Sequence, residues 1–149
     1  NYGKIGTGLT LFPATMLKQD ATEDAPHLEY KVFLKDTGTV KIQVYLGSTI
    51  DYSGGKWVHY AIAIDNEVPQ IINSTLRKPG EYWQNNNSDD VMKDNVRVEA
   101  SFHNISKPGE HTLKFWVIDK GLILQKLVID CGGVKPSELG PPESFRSKE

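Results

Sequence analysis

The sequence lacks most features of a disulfide-bonded, membrane-spanning or strongly charged protein. Its 149 residues include one cysteine, and their formal net charge is −2. A single cysteine excludes an internal disulfide framework and a multi-cysteine zinc site, and the small net charge argues against a nucleic-acid surface. No apolar run approaches the ~18 residues of a membrane helix. With 38% hydrophobic residues, the chain is still too apolar for a disordered tail.

A recognisable signal peptide is also missing. The sequence starts with Asn1-Tyr2-Gly3-Lys4 and has no initial Met, so we expect a mature form or an excised piece of a longer protein. The length fits one domain of ordinary size. Cys131 ends an apolar run before two glycines, and we expect it to be a small buried hydrophobe.

Alternation of apolar and polar residues dominates the chain, as in half-buried strands. Helical patterning is nearly absent. The runs 28–34 and 40–46 flank the turn Asp36-Thr37-Gly38 and are predicted to form a hairpin. The other candidate strands are 10–12, 58–64, 70–72, 96–102, 113–117 and 122–129. About eight strands at this spacing predict an all-β fold, an antiparallel, jelly-roll-like β-sandwich.

The composition changes near the C-terminus. Residues from Gly132 onward are rich in Pro, Gly, Ser and charge. We therefore expect a sandwich domain over residues 1–133, followed by a tail or linker over 134–149 that packs along the surface or connects to something else.

Several stretches, in order along nearly the whole chain, are typical of one enzyme family. The strongest are Pro108-Gly109-Glu110-His111-Thr112-Leu113-Lys114-Phe115-Trp116-Val117-Ile118-Asp119 and Leu124-Gln125-Lys126-Leu127-Val128-Ile129-Asp130. The others are 9–15, 28–30, 44–46, 60–65, 69–71 and 138–144. In these stretches the sequence resembles the C-terminal β-sandwich domain of glycoside hydrolase family 115, the α-glucuronidases that act on glucuronoxylan.

The resemblance implies an accessory domain, with the catalytic domains upstream, and an architecture like that of carbohydrate-binding modules. It also implies a microbial polysaccharide degrader, so we expect a secreted or periplasmic protein. We do not expect catalysis in this chain. No spacing singles out the two carboxylates of a glycosidase, and no nucleophile-elbow pattern occurs.

Aromatic residues are the natural candidates for sugar contacts, because stacking covers the apolar face of a sugar ring while polar groups bind its hydroxyls. Strand parity assigns Tyr30, Tyr60, Phe102 and Phe115 to the core. The remaining aromatics and their polar neighbours give the predicted ligand-binding residues Tyr52, Trp57, His59, Tyr82, Trp83, Asn85 and Trp116. Trp57 stands out because its parity is opposite to that of Val58. For Trp116, cover by a loop or a neighbouring domain is the competing expectation.

No cofactor is predicted, although a structural calcium ion is conceivable. Its oxygen ligands would come from Asp65, Asn66 and Glu67, or from Asp89, Asp90 and Asp94. Neither cluster has a defined loop signature.

Two functions stay open from the sequence. The first is a carbohydrate-binding module, with xylan or glucuronoxylan as the favoured ligand and the catalytic domain of the parent enzyme as its partner. The second is a structural docking or dimerisation domain without sugar binding. An exposed aromatic pair would favour the first, and an unusually large exposed apolar patch would favour the second.

Overall fold

Two antiparallel sheets make up a computed structural model that describes residues 7–13, 15–47, 58–74, 96–137 and 139–145. The seven strands are β1 (Leu28–Leu34), β2 (Gly38–Gly47), β3 (His59–Ile64), β4 (Gln70–Asn73), β5 (Val96–Ile105), β6 (Gly109–Val117) and β7 (Ile123–Asp130). Sheet order is β1-β6-β3-β4 in the first sheet and β5-β2-β7 in the second. The predicted all-β sandwich is confirmed. Within the described ranges, no helix has the length and apolar character to cross a membrane.

The predicted hairpin between the first two strands is wrong. β1 pairs with β6, and β2 lies between β5 and β7 in the other sheet. Gly38, with a φ of +118°, begins β2 where the chain passes from one sheet to the other. Alternation marks the buried face of a strand but not its partner, so it could not distinguish these arrangements. The predicted strand at 10–12 is absent, and one bridge joins Leu9 to Leu124.

The main core fills the space between the sheets. Ile42 and Val44 of β2 face Tyr60 and Ile62 of β3, and all four are fully buried. Tyr60 also stacks on Phe115 with 5.3 Å between ring centroids. These two aromatic core assignments are confirmed, whereas Tyr30, also assigned to the core, is 39% exposed.

Strand β5 has the opposite parity from the prediction. Ile42 of β2 pairs with Ser101, and Val40 pairs with His103. Directly paired residues share a face, so Ser101 and His103 point inward. Phe102 consequently points outward and is 62% exposed. The inward polar groups are satisfied, because Ser101 Oγ bonds His103 Nε2 at 2.8 Å and His103 Nδ1 bonds the Glu67 carboxylate.

The outer face of the four-stranded sheet is covered by residues 19–27, which we call the N-terminal cover. Ala21 and Ala25 pack against Trp116 and its small neighbours in β3. The Gln19 side chain donates to the carbonyl oxygen of Val117 at 2.6 Å. These contacts bury apolar side chains on the outer face of the sheet that would otherwise be exposed to water.

The outer face of the three-stranded sheet is covered in part by residues 131–137 and 139–145, which we call the C-terminal cover. Val134 packs against a buried cluster that includes Tyr45. Lys126 Nζ donates to the carbonyl oxygens of Leu139 and Pro141, each at 2.8 Å. Val134, Leu139 and Pro141 of the C-terminal cover therefore contact the sandwich. Cys131 is exposed where the cover begins, so the prediction that it is buried is wrong.

Gly140 of the C-terminal cover lies close to the Tyr45 ring. Its φ is +71°, and a Cβ atom there would lie 2.9 Å from the Tyr45 ring and hydroxyl. We predict that Gly140→Ala lowers the free energy of unfolding by about 2–3 kcal/mol, since backbone strain adds to a steric clash. Urea unfolding measures the difference.

The matched control is Gly133→Ala. Gly133 also has a positive φ, +94°, but a Cβ atom there meets no atom within 4 Å. Only the backbone cost applies, about 1 kcal/mol. Equal losses for the two variants would contradict the packing of residue 140 against Tyr45.

Candidate functional site at one end of the sandwich

Strand ends from both sheets meet at one end of the sandwich. Gly47, the last residue of β2, pairs with Val96 at the start of β5. In the other sheet, Tyr60 near the start of β3 pairs with Val117 at the end of β6. Because the short connection 118–122 joins β6 to β7, these strand ends lie at the same end of the molecule. We call it the β2–β3 end.

His59 and Asp119 form a hydrogen-bonded pair at this end. His59 Nδ1 lies 2.6 Å from Asp119 Oδ2, and the backbone N–H of His59 donates to the same oxygen at 2.9 Å. The backbone N–H groups of Ile118 and Asp119 donate in turn to the carbonyl oxygen of His59. Four hydrogen bonds therefore fix the imidazole relative to the connection 118–122.

The pair is accessible and leaves one ring nitrogen for a ligand. The side chains of His59 and Asp119 are 21% and 20% exposed. With Nδ1 donating to the carboxylate, Nε2 of a neutral ring is an acceptor, and Nε2 of a charged ring is a donor. Either state can bind a hydroxyl group.

The structure describes two of the seven predicted ligand-binding residues, His59 and Trp116. The other five, Tyr52, Trp57, Tyr82, Trp83 and Asn85, lie outside the described residues, and their roles stay predictions. The described residues that flank these five belong to the β2–β3 end: Gly47, Val58, Ser74 and Val96. Ser74 is included because its backbone N–H donates to the Val58 carbonyl oxygen beside β3.

Trp116 has no ring face free for a sugar. It is 1% exposed, its indole N–H donates to the Thr22 carbonyl at 2.8 Å, and His27 stacks on its ring with 4.9 Å between centroids. The Trp116 side chain lies on the outer face of the sheet, as its position in the alternation predicts, but the N-terminal cover packs over it. Trp116 is therefore a packing residue in this structure, and its assignment as a sugar contact is corrected.

Comparison with known proteins identifies the family. Residues 1–143 match the model of the glycosyl hydrolase family 115 C-terminal domain. The chain belongs to this family. No curated protein matches the sequence.

Solved structures that are similar to this family 115 domain include an enzyme and a carbohydrate-binding module. One is a family 115 4-O-methyl-α-glucuronidase with specificity for decorated arabinogalactans, at 16% identity and a TM-score of 0.56. The match covers 69% of this chain and 13% of that one. A family 35 carbohydrate-binding module from Clostridium thermocellum matches with a TM-score of 0.48 at 13% identity, covering 69% of this chain and 68% of that one. At these identities the similarity concerns the fold alone.

At the opposite end, the turn between β3 and β4 uses its carboxylates to join both sheets. Asp65 Oδ2 accepts from His111 Nδ1 at 2.7 Å, and its Oδ1 accepts from the Thr112 N–H at 2.8 Å. Glu67 bonds His103 of the other sheet and the Ile64 N–H. Asp65 has a φ of +53°, a conformation that Asp tolerates.

These bonds bear on the calcium ion that the sequence left open. Both oxygens of Asp65 accept hydrogen bonds from the fold, and Glu67 Oε1 does so as well. The carboxylates of this turn therefore form a hydrogen-bonded connection between the two sheets. The second predicted cluster, at residues 89, 90 and 94, lies outside the described residues. A different group, Glu23, His27 and Glu29, brings three metal-binding side chains together.

Sequence reasoning missed Asp119 and the Glu23–His27–Glu29 group. Asp119 is 60 residues from His59 along the chain, and no local pattern connects them. His27 and Glu29 are two residues apart, a spacing that puts both on one face of a strand. That spacing could have indicated the group, but His27 comes just before the regular alternation begins at Leu28, so it was not assigned to the strand.

The Asp65–His111 pair makes stability depend on pH. Burial opposes ionisation of Asp65, but the bonds from Thr112 and His111 outweigh it and hold the pKa of Asp65 below 3.8. The bond to Asp65 raises the pKa of His111 above 6.5. The Asp65 contribution is lost as pH falls through its lowered pKa, and the His111 contribution is lost as pH rises through its raised pKa.

We therefore predict that Asp65→Asn destabilises the fold most between about pH 4 and 6.5, where both partners are charged. Asn tolerates the positive φ, so the backbone should not change. Urea unfolding of both proteins from pH 3 to 9 tests this, with Asp24→Asn, an exposed residue in the N-terminal cover, as control. A pH-independent difference would contradict the charged pair.

Proposed function

We propose that this domain is a non-catalytic carbohydrate-binding module of a secreted or periplasmic enzyme that degrades plant polysaccharides. Xylan or glucuronoxylan is the favoured ligand. The observation that carries the proposal is the fixed, partly exposed His59–Asp119 pair at the β2–β3 end. Family membership supplies the polysaccharide context.

The His59–Asp119 pair has the chemistry of a hydroxyl-binding site. A sugar presents hydroxyl groups that both donate and accept hydrogen bonds, and an imidazole with a carboxylate beside it offers both roles. Because the pair is already held by the backbone of residues 118 and 119, binding costs little ordering of these side chains.

The covers support the β2–β3 end over the sheet faces as the binding region. The covers bury Trp116 on one outer face and Tyr45 on the other, so neither aromatic ring is available for stacking on a sugar. In the sequence, Tyr52 and Trp57 lie between β2 and β3, and Tyr82 and Trp83 lie between β4 and β5. Trp57 is two residues before His59. Stacking by Trp57 would complement hydroxyl binding by His59.

We predict that Trp57→Ala and His59→Ala each weaken polysaccharide binding about ten-fold, equivalent to about 1.4 kcal/mol. Affinity gels and calorimetry with glucuronoxylan, arabinoxylan and arabinogalactan measure the effect and the preference among ligands. Arabinogalactan is included because the family 115 structure above has specificity for decorated arabinogalactans.

The control variant is Phe33→Ala. Phe33 is 71% exposed and pairs with Glu110 near the opposite end of the sandwich, so its removal should leave binding unchanged. Asp119→Asn is a second test that keeps the shape of the pair. Absence of retention on all three polysaccharides would contradict the proposed function, and a stronger preference for arabinogalactan would contradict xylan as the ligand.

A docking role is the second candidate, and the outer face of β5 favours it. Val98 and Phe102 are 44% and 62% exposed on the same face, with the exposed Ala100 between them. The partner would be the catalytic part of the same enzyme, because the chain belongs to a C-terminal domain family. Both roles can coexist, since β5 uses its outer face and His59 lies in the other sheet.

For this role we predict that Phe102→Ser leaves the free energy of unfolding within about 0.5 kcal/mol, because the side chain is largely exposed. In the parent enzyme it should weaken the interface and increase proteolytic release of the domain. Phe33→Ser is the matched control, because Phe33 is 71% exposed on β1 of the other sheet. Unchanged protease sensitivity and unchanged sedimentation of the enzyme would rule out docking through β5.

A further inference from the structure

Three metal-binding side chains meet where the N-terminal cover joins β1. Glu23 and His27 belong to the cover, and Glu29 is the second residue of β1. Each contributes one ligand atom, and these atoms all lie within 4.8 Å of one another. The group is at the sheet edge, independent of the His59–Asp119 pair, and neither proposed function uses it.

The orientation of His27 is fixed by its surroundings. Nδ1 lies 2.8 Å from the carbonyl oxygen of Ala25, which can only accept, so Nδ1 carries the proton. The ring also stacks on the buried Trp116. Nε2 of the neutral ring therefore presents its lone pair toward Glu29, whose Oε1 is 3.1 Å away. A histidine whose other nitrogen donates to a backbone carbonyl is the usual form of a metal ligand.

The distances are compatible with one small ion. Two ligands of a tetrahedral zinc ion, each bonded at about 2.0–2.1 Å, are separated by roughly 3.3 Å. The 3.1 Å between His27 Nε2 and Glu29 Oε1 is close to that value. The Glu23 side chain is 68% exposed, so small torsional adjustments within its rotamer can bring its second oxygen closer to the other two ligand atoms.

Lys114 shares Glu23 with this group. Its Nζ lies 2.6 Å from Glu23 Oε1, and the Lys114 side chain is 10% exposed. A carboxylate has two oxygens with about four lone-pair sites. Glu23 can therefore keep its bond to Lys114 and offer the other oxygen to an ion.

We propose that Glu23, His27 and Glu29 bind a divalent transition-metal ion of the zinc class and so tie the N-terminal cover to β1. One imidazole and two carboxylates favour zinc over calcium or magnesium, which prefer ligand sets made of oxygen alone. Water would complete the four ligands, since both glutamates are exposed. The expected role is structural, because the ion would connect the N-terminal cover to β1, a strand of the sheet that this cover packs on.

A proton is the competing occupant of the group. The bond to Ala25 and the carboxylate of Glu29 raise the pKa of His27 above its usual value. Without metal, a charged His27 would form an ion pair with Glu29. The experiment must therefore distinguish a metal site from an ion-pair cluster.

The test uses the tag-free chain with Cys131→Ser, which removes the exposed thiol as an alternative ligand. Calorimetry with Zn²⁺ at pH 7.5 and the visible absorption of added Co²⁺ report binding and coordination geometry. The change in Tm on adding Zn²⁺ measures how much the ion stabilises the connection between the N-terminal cover and β1. We expect one ion per chain, tetrahedral Co²⁺ bands and a higher Tm with zinc.

Glu29→Gln and Glu23→Gln should each weaken zinc binding at least ten-fold, and His27→Ala should abolish the Co²⁺ bands. The matched control is Glu110→Gln, which removes a 70% exposed carboxylate of the same sheet. If His27→Ala does not fold, the two glutamine variants still decide. Absence of zinc binding, or equal binding by Glu29→Gln and Glu110→Gln, would overturn the proposal and leave an ion-pair cluster.

Discussion

Both sheets of this sandwich carry apolar side chains on their outer as well as their inner faces, and the rest of the structure follows from that constraint. A free sheet would expose Tyr45 on one side of the molecule and Trp116 on the other. Each is at most 4% exposed, because a segment without regular secondary structure lies over it. Burial of apolar area is the dominant stabilising term in folding, so the covers belong to the fold as much as the strands do.

This constraint also shapes where function can lie. Covered sheet faces leave strand ends and uncovered edges for contact with other molecules. The His59–Asp119 pair is at a strand end, and the exposed side chains of β5 are at an edge. The opposite end is used for cohesion, since Asp65 and Glu67 of one short turn reach His111 and His103 of different sheets. Hydrogen bonds at one end of the domain thus connect the two sheets, and the other end carries the candidate site.

Alternation in the sequence was enough to predict an all-β sandwich and the burial of Tyr60 and Phe115. It failed for β5, where the apolar residues Val98 and Phe102 face outward and the polar Ser101 and His103 face inward. A polar inner face is stable only when its groups find partners, and these partners come from the distant turn at Glu67. For the site, parity singled out Trp57 and, as its neighbour, His59. It could not find Asp119, because the contact between His59 and Asp119 depends on tertiary structure.

The two edge strands of the three-stranded sheet, β5 and β7, each form hydrogen bonds to a residue outside the sheet. On β7, Leu9 forms a two-bond bridge with Leu124, and on β5 the Gln70 side chain donates to the carbonyl oxygen of Phe102 at 2.8 Å. An unpaired edge is a template for strand addition and aggregation. These two contacts disfavour edge-to-edge association of two copies of the domain. Any partner that approaches β5 must then recognise its side chains rather than extend its backbone ladder.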